Sequence, residues 1–223
     1  MLAQIVLVAG LASSLASAET VLEFDFKKGA PPANPRITVN GGQWEHGWYV
    51  SGDTDRILID LERDIRDGYV EVVVTRKGEL NFAERKRNWL GVFANPAGHQ
   101  SAGGYARAGG EGYAFSKAEI FASNASATIC EKKFGEASDW ILDGKTEHTV
   151  RIEVKDNVMT WSNGKGSASC GSAAQPVSYF RWIMLGGILD HKLGWHHGSL
   201  VGTKFLRLKV ADNKPAPHAH KKP

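Results

Sequence analysis

Three short runs of this chain hold side chains that can do chemistry. Gln43-Trp-Glu-His-Gly-Trp-Tyr49 sets two indoles and a phenol beside a carboxylate and an imidazole, and Asp190-His-Lys-Leu-Gly-Trp-His-His197 sets one indole among three imidazoles and a carboxylate. In and beside a glycine-rich stretch, His99, Gln100, Tyr105, Arg107 and Tyr113 supply bases, an amide and a cation. Sugars offer C–H faces ringed by hydroxyls, so flat aromatic rings next to polar groups make a surface that holds them. Trp44, Trp48, Trp89, Tyr105, Arg107, Trp195 and His196 are therefore the candidate contacts for a polysaccharide or glycan. The rings would stack on sugar faces, while His196 or Arg107 would hydrogen-bond hydroxyls or a uronate. Trp44 and Trp48 share strand parity and fall on one face provided no bulge intervenes at Gly47. Trp140, Trp161 and Trp182 stand in strand-like runs and read as core instead.

Other chemistries find only partial sets. Asp190, His191, His196 and His197 are of metal-ligand type, but zinc wants three or four ligands converging on a point, and adjacent histidines on a strand diverge. Asp53 and Asp55 offer the clustered oxygens that Ca2+ prefers, without the rest of a coordination shell. Elimination from a uronate needs a cation or amide on the carboxylate and a His or Tyr base, which the residues around Tyr105 supply by type alone. Glycoside hydrolysis needs two carboxyl groups across the scissile bond, and Glu45, Glu71 and Glu119 stand on separate segments whose pairing is open. No catalytic residue is assigned.

The elements that must position these residues read as strands throughout. His148-Thr-Val-Arg-Ile-Glu-Val-Lys155 alternates apolar and polar residues, the period of a half-buried strand. Asp156-Asn157 turns it back into Val158-Met-Thr-Trp-Ser162, and Asn163-Gly164 is a strong hairpin signal. Further strands are expected at 20–26, 43–50, 56–61, 68–75, 88–94, 112–116, 118–121, 127–133, 178–185 and 204–210, the last in strict alternation. Residues 95–112 hold six glycines and almost no core-forming residue, and read as a long loop. One helical turn is expected at 81–86, and 186–199 reads as loop. With no extended 3.6-residue period, the natural packing is an all-β, two-sheet antiparallel β-sandwich.

The ends and the composition add context. Residues 1–18 are small and apolar and finish in Ala16-Ser17-Ala18, the pattern of a secretory signal peptide, although no basic residue precedes the apolar run. Residues 19–211 are then one sandwich domain, and 212–223 a disordered His/Lys/Pro tail. A secreted protein, periplasmic or extracellular, is expected, with no membrane insertion. The net charge of +3 comes from interspersed acids and bases, which is no footprint for nucleic acid. The two cysteines, Cys130 and Cys170, are expected to form one disulfide in an oxidising compartment. The oligomeric state is not written in the chain.

Trp140-Ile-Leu-Asp-Gly-Lys-Thr-Glu-His-Thr-Val-Arg-Ile-Glu-Val, with Asn163-Gly-Lys165, Ile183-Met-Leu-Gly-Gly187 and the run Gly198-Ser-Leu-Val-Gly-Thr-Lys-Phe-Leu-Arg-Leu-Lys-Val210, resembles the closing strands of concanavalin A-like and laminin-G-like domains. The resemblance implies a jelly roll over most of residues 20–210. That group hosts lectins, adhesion modules, hydrolases and lyases, so fold does not settle function. The laminarinase-like branch carries E-x-D-x-x-E on one strand; here Glu23-Phe-Asp25 has the first spacing, but Lys28 stands where the last Glu belongs. The lyase strand signatures R-T/S-E-x-R and Q-I-H are also absent. The expectation is a secreted, non-catalytic, lectin-like carbohydrate-binding domain with no obligatory cofactor. The alternatives are a polysaccharide-degrading enzyme on the same fold, a glycoside hydrolase before a lyase, and a laminin-G-like adhesion module.

Overall fold

A computed structural model describes residues 18–77, 88–94, 105–109, 118–124, 127–134, 141–173, 179–190 and 195–214. Residues 1–17 of the expected signal segment, the helical turn at 81–86, the strand at 112–116, Trp140 and the tail from 215 onward lie outside the described residues.

The described residues form seventeen strands, one single-turn 3-10 helix at Phe26–Lys28, and no α-helix. The strands are β1 Glu19–Asp25, β2 Ile37–Asn40, β3 Gln43–Trp44, β4 Trp48–Tyr49, β5 Arg56–Ile65 and β6 Gly68–Arg76. Next come β7 Asn88–Phe93, β8 Tyr105–Gly109, β9 Ala118–Asn124, β10 Ala127–Phe134, β11 His148–Lys155 and β12 Val158–Ser162. The chain finishes with β13 Ser167–Gly171, β14 Phe180–Gly186, β15 Ile188–Asp190, β16 Trp195–His197 and β17 Thr203–Asp212. One sheet has the order β13-β12-β11-β6-β17-β4-β3, with β1 also on β17; the other runs β10-β9-β8-β7-β14-β5-β2; β15 and β16 pair by themselves. Every ladder is antiparallel.

Alternation builds the core. Val150, Ile152 and Val154 of β11 are buried with Val70, Val72 and Val74 of β6 on one side of the eight-stranded sheet. Ile57 and Ile59 of β5, Ile183 and Leu185 of β14, and Leu90 and Val92 of β7 meet them from the seven-stranded sheet. The turn at Asp156-Asn157 has positive φ at both residues, 49° and 64°, as a two-residue type I′ hairpin requires. Asn163 and Gly164 lie in the next turn, where the Asn163 side-chain oxygen accepts from the backbone N–H of Lys165 and Gly166, each at 3.0 Å.

Four expectations change. Residues 43–50 are two strands, because His46 and Gly47 take positive φ (48° and 139°) and fold β3 back on β4. Residues 95–112 are not all loop: β8 lies inside that stretch, between β7 and β9, its Tyr-Ala-Arg-Ala-Gly alternation carried by residues too small to signal a core. The 186–199 segment contains the β15–β16 hairpin. The sheet also outlasts residue 211: β17 runs to Asp212, and Asn213 donates its backbone N–H to the Asp67 carbonyl at 2.7 Å while Lys214 Nζ sits 2.9 Å from the Asp67 carboxylate. Burial pushes the Asp67 carboxyl up, but hydrogen bonds from Lys214 and Asn213 outweigh it and hold the group below its ordinary value.

Trp89 reaches from the seven-stranded sheet to Phe205 and Trp161 of the other sheet, with ring centroids 6.2 Å away in both cases. Truncating it removes the largest side chain bridging the two layers. Trp89→Ala is expected to cost about 3–5 kcal/mol of unfolding free energy in urea titration; a loss below about 1 kcal/mol, typical of surface positions, would remove the ring from the core.

Candidate functional site

The sequence-derived contacts separate into three groups. Trp48 and Trp89 are 0% exposed and belong to the core, so neither ring can meet a sugar in the folded protein. Trp44 does share a face with Trp48, but across the β3–β4 turn rather than along one strand, and that face is the core side, with centroids 6.4 Å apart. Gly42 makes room for this: a Cβ there would fall 2.2 Å from the Trp48 indole nitrogen. These tryptophans are packing residues. Trp161, expected in the core, is there at 2% exposure.

The second group sits on the outward side of the seven-stranded sheet. Register pairs Asp60 with Trp182, Trp182 with Phe93, Phe93 with Tyr105, and Tyr105 with Phe121, one row across five strands. The neighbouring row runs Thr38, Leu58, Met184, Gly91, Arg107, Glu119. Phe93 and Met184, with Leu58 and Trp182, form an apolar cluster separate from the main core. The backbone positions of Tyr105 and Arg107 fall in these two rows on β8, their side chains lying outside the described residues, and Trp182, expected in the core, stands half-buried two strands away on β14.

Trp182 shares the outward parity of Met184, and a bulge brings Arg181 out beside it. Pairing between β14 and β5 slips between Phe180 and Trp182, so Arg181 and Trp182 are both partly exposed where alternation would hide one. Arg181 forks onto Asp60, Nε at 2.7 Å and an Nη at 2.9 Å from separate carboxylate oxygens, with its guanidinium carbon 5.8 Å from the Trp182 ring centroid. That bidentate bond is the main reason the Asp60 carboxyl lies below its ordinary value, and Asp60 in turn raises Arg181. The other β5 carboxylates also meet arginines, Glu62 with Arg36 and Asp64 with Arg66.

The outward side of the eight-stranded sheet has the opposite character. One row reads Glu23, Lys209, Glu71, Arg151, Ser162, Ser167, and Arg151 stacks over Tyr69 at 3.6 Å. Cross-strand pairs of alternating sign of this kind face water.

The third group is the β15–β16 hairpin, which carries Trp195 and His196; its backbone is described and its side chains, with His191, lie outside the described residues. Its base is fixed. The Ser199 hydroxyl donates to the Asp55 carbonyl and accepts from Gly187 N–H at 2.7 Å, and Ser199 N–H reaches the Asp53 carbonyl at 2.7 Å. The Asp55 carboxylate, offered above for Ca2+, accepts from Ser51 N–H, Ser51 Oγ and Gly52 N–H at 2.7–2.9 Å. It caps its own loop. Among the described residues no three His, Cys, Asp or Glu side chains gather to hold a metal ion. Cys170 is buried on β13 and is not a free thiol; β13 lies alongside β10, the strand of Cys130.

Two antiparallel sheets packed face to face match known structures over 87–91% of the chain. The fold is the concanavalin A-like jelly roll. Crh5 transglycosylase superposes with a TM-score of 0.56 at 15% identity, covering 91% of this chain and 87% of that one. The VIP36 exoplasmic/lumenal domain in its Ca2+/Man3GlcNAc-bound form gives 0.56 at 7% identity over 91% and 92%. The Emp47p carbohydrate recognition domain gives 0.54 at 9% over 87% and 96%. No family model and no curated protein matches the sequence. No described helix of the jelly roll is long and apolar enough to cross a membrane.

The Asp60–Arg181 pair has a pH signature. A carboxylate whose folded value is lowered stabilises fully above its unfolded value and loses that contribution as pH falls through the folded one. The gap in urea midpoint between wild type and Asp60→Asn is therefore expected to narrow from about pH 6 to about pH 2, across the ordinary carboxylate range. A gap constant with pH would show that the pair adds no proton-linked stability.

Proposed function

We propose that this chain is a carbohydrate-recognition module that holds its saccharide on the outward face of the seven-stranded sheet. Trp182 is the stacking ring, Arg181 and Arg107 are hydrogen-bond donors, and Trp195 and His196 of the β15–β16 hairpin form the rim. The observation that carries the reading is the half-buried indole of Trp182 beside a bidentate Arg–Asp pair, packed against the apolar cluster of Leu58, Phe93 and Met184. Sugars need this combination of aromatic face and fixed polar fork. Solved neighbours include a Crh5 complex with NAG and VIP36 with Man3GlcNAc, which supports a saccharide as the ligand class.

Recognition without catalysis is the form supported by the carboxylates. A glycosidase needs one acid with a raised pKa and a facing partner. Asp60, Glu62 and Asp64 are each paired with an arginine, and the Arg181 fork holds the Asp60 carboxyl below its ordinary value.

Retention on a panel of immobilised plant, algal and microbial polysaccharides tests this, with reducing ends assayed in parallel. Wild type is expected to be retained on at least one without releasing product. Trp182→Ala is expected to weaken retention at least tenfold, and Trp182→Phe, which keeps a ring, to restore most of it. Product release would replace binding with catalysis. Equal retention of Trp182→Ala and wild type would remove the site from this face.

We propose in addition that the protein is exported through residues 1–18 and that Cys130 bridges to Cys170, tying edge strands β10 and β13 of opposite sheets. Closing a loop of about 40 residues contributes roughly 3–4 kcal/mol in the chain-entropy account. Reduction is expected to lower the urea midpoint accordingly. Two thiols alkylated in the non-reduced, denatured protein would exclude the bridge.

A further inference from the structure

A cavity of about 290 Å³ opens on the other sheet, at the end where β6, β17 and β4 meet the turn after Ile141. Register brings Tyr49, Lys204 and Thr75 into one outward row there. The turn is held firmly. Asp143 Oδ1 accepts from Lys145 N–H and Thr146 N–H at 2.7 Å, its Oδ2 from Thr146 Oγ1 at 2.9 Å, and Gly144 N–H reaches the Arg76 carbonyl at 2.9 Å. The backbone of Lys145 is thereby fixed at the cavity that Lys77 and Lys204 also line.

Charge in this cavity is unbalanced. Lys77, Lys145 and Lys204 line it against Glu45 and Asp143, and Asp143 already serves the donors of its own turn. None of the three lysines forms an ion pair with a described carboxylate; Lys204 has only the Tyr49 ring, at 6.0 Å. Thr75, 4% exposed, also lines the cavity, and its hydroxyl has no hydrogen-bond partner among the described residues. Buried hydroxyls are ordinarily satisfied. Three lysines without counter-ions around a buried, unpartnered donor fit an oxyanion, whose oxygens accept from both. The volume is at the small end of ligand pockets, which span about 300–1,000 Å³, so it suits one sugar-sized unit. Glu45 and Tyr49 on the same wall add an acceptor for hydroxyls and an aromatic face.

We propose that this cavity binds the oxyanion, carboxylate or sulfate, of an acidic monosaccharide unit, independently of the face that carries Trp182. Amide chemical-shift titration with sodium glucuronate, glucose 6-sulfate, glucose and inorganic sulfate tests it. Saturable shifts at Gly144, Lys145 and Gly202 are expected with the first two, and whichever saturates lower identifies the preferred oxyanion. Glucose is expected to give none. Lys77→Gln/Lys204→Gln is expected to weaken the better ligand at least tenfold, and Thr75→Val severalfold without loss of thermal stability. Equal shifts with glucose, or an unchanged double variant, would overturn the site. Inorganic sulfate binding as tightly as the sugar anions would overturn its saccharide part. Trp182→Ala should leave this titration unchanged while abolishing polysaccharide retention, so the two proposals fail separately.

Discussion

Seven aromatic rings touch in series through the middle of the sandwich. Phe24 meets Phe26, Phe26 meets Trp44, Trp44 meets Trp48, Trp48 meets Phe205, Phe205 meets Trp89 and Trp89 meets Trp161, in steps of 5.6 to 6.4 Å. Six of these rings come from β1, the turn after it, β3, β4, β12 and β17 of one layer, and Trp89 alone comes from the other. Rings of this size bury large apolar areas and add about 0.5–1.5 kcal/mol per well-placed pair. The contact also sets how the sheets lie on each other, since Trp89 wedges between Phe205 and Trp161. The outward faces can then diverge in character because neither is needed to hold the layers together.

Much of the fold was legible because period-two alternation is a local signal. The β11–β12 hairpin could be read residue by residue, down to the Asp156-Asn157 turn and its positive φ values. The closing strand was legible for the same reason, and the strand around Phe180–Gly186 by its dense apolar run. Bulges and tight folds were not. The break at Phe205/Arg207 lets Phe205 and Leu206 both be buried in a strand that reads as strictly alternating. The turn at His46-Gly47 hides in a run that looks continuous, and β8 hides among alanines and glycines.

The candidate site was less legible, for a related reason. Tryptophan in a short polar run signals exposure only if nothing else covers it. Trp48 is covered and Trp44 partly so because β3 and β4 fold together at the edge of a layer and turn inward. Trp182 went the other way: it alternates with the buried core residues Ile183 and Leu185 onto the face of Met184, while the slip in pairing with β5 after Phe180 brings Arg181 out beside it. Tyr105 and Arg107 stand out in the sequence by residue type within a glycine-rich stretch, and their common strand β8 is hidden there by the small residues around them. The unmatched lysines of the second cavity come from positions 77, 145 and 204, so no sequence window contains them.

Strand β17 is hydrogen-bonded to β6 along one edge and to β4 and β1 along the other, yet it is made after all of them. Until residues 203–212 leave the ribosome, β1 and the β3–β4 hairpin have no partner in the layer, and β6 has only β11. The aromatic series is cut at Phe205 over the same interval. The eight-stranded layer therefore cannot assemble vectorially from its N-terminal part. It closes in one late step dominated by non-local pairing, the kind of topology that folds slowly, and through that interval the unpaired edges of β1, β4 and β6 are open to pairing with other chains.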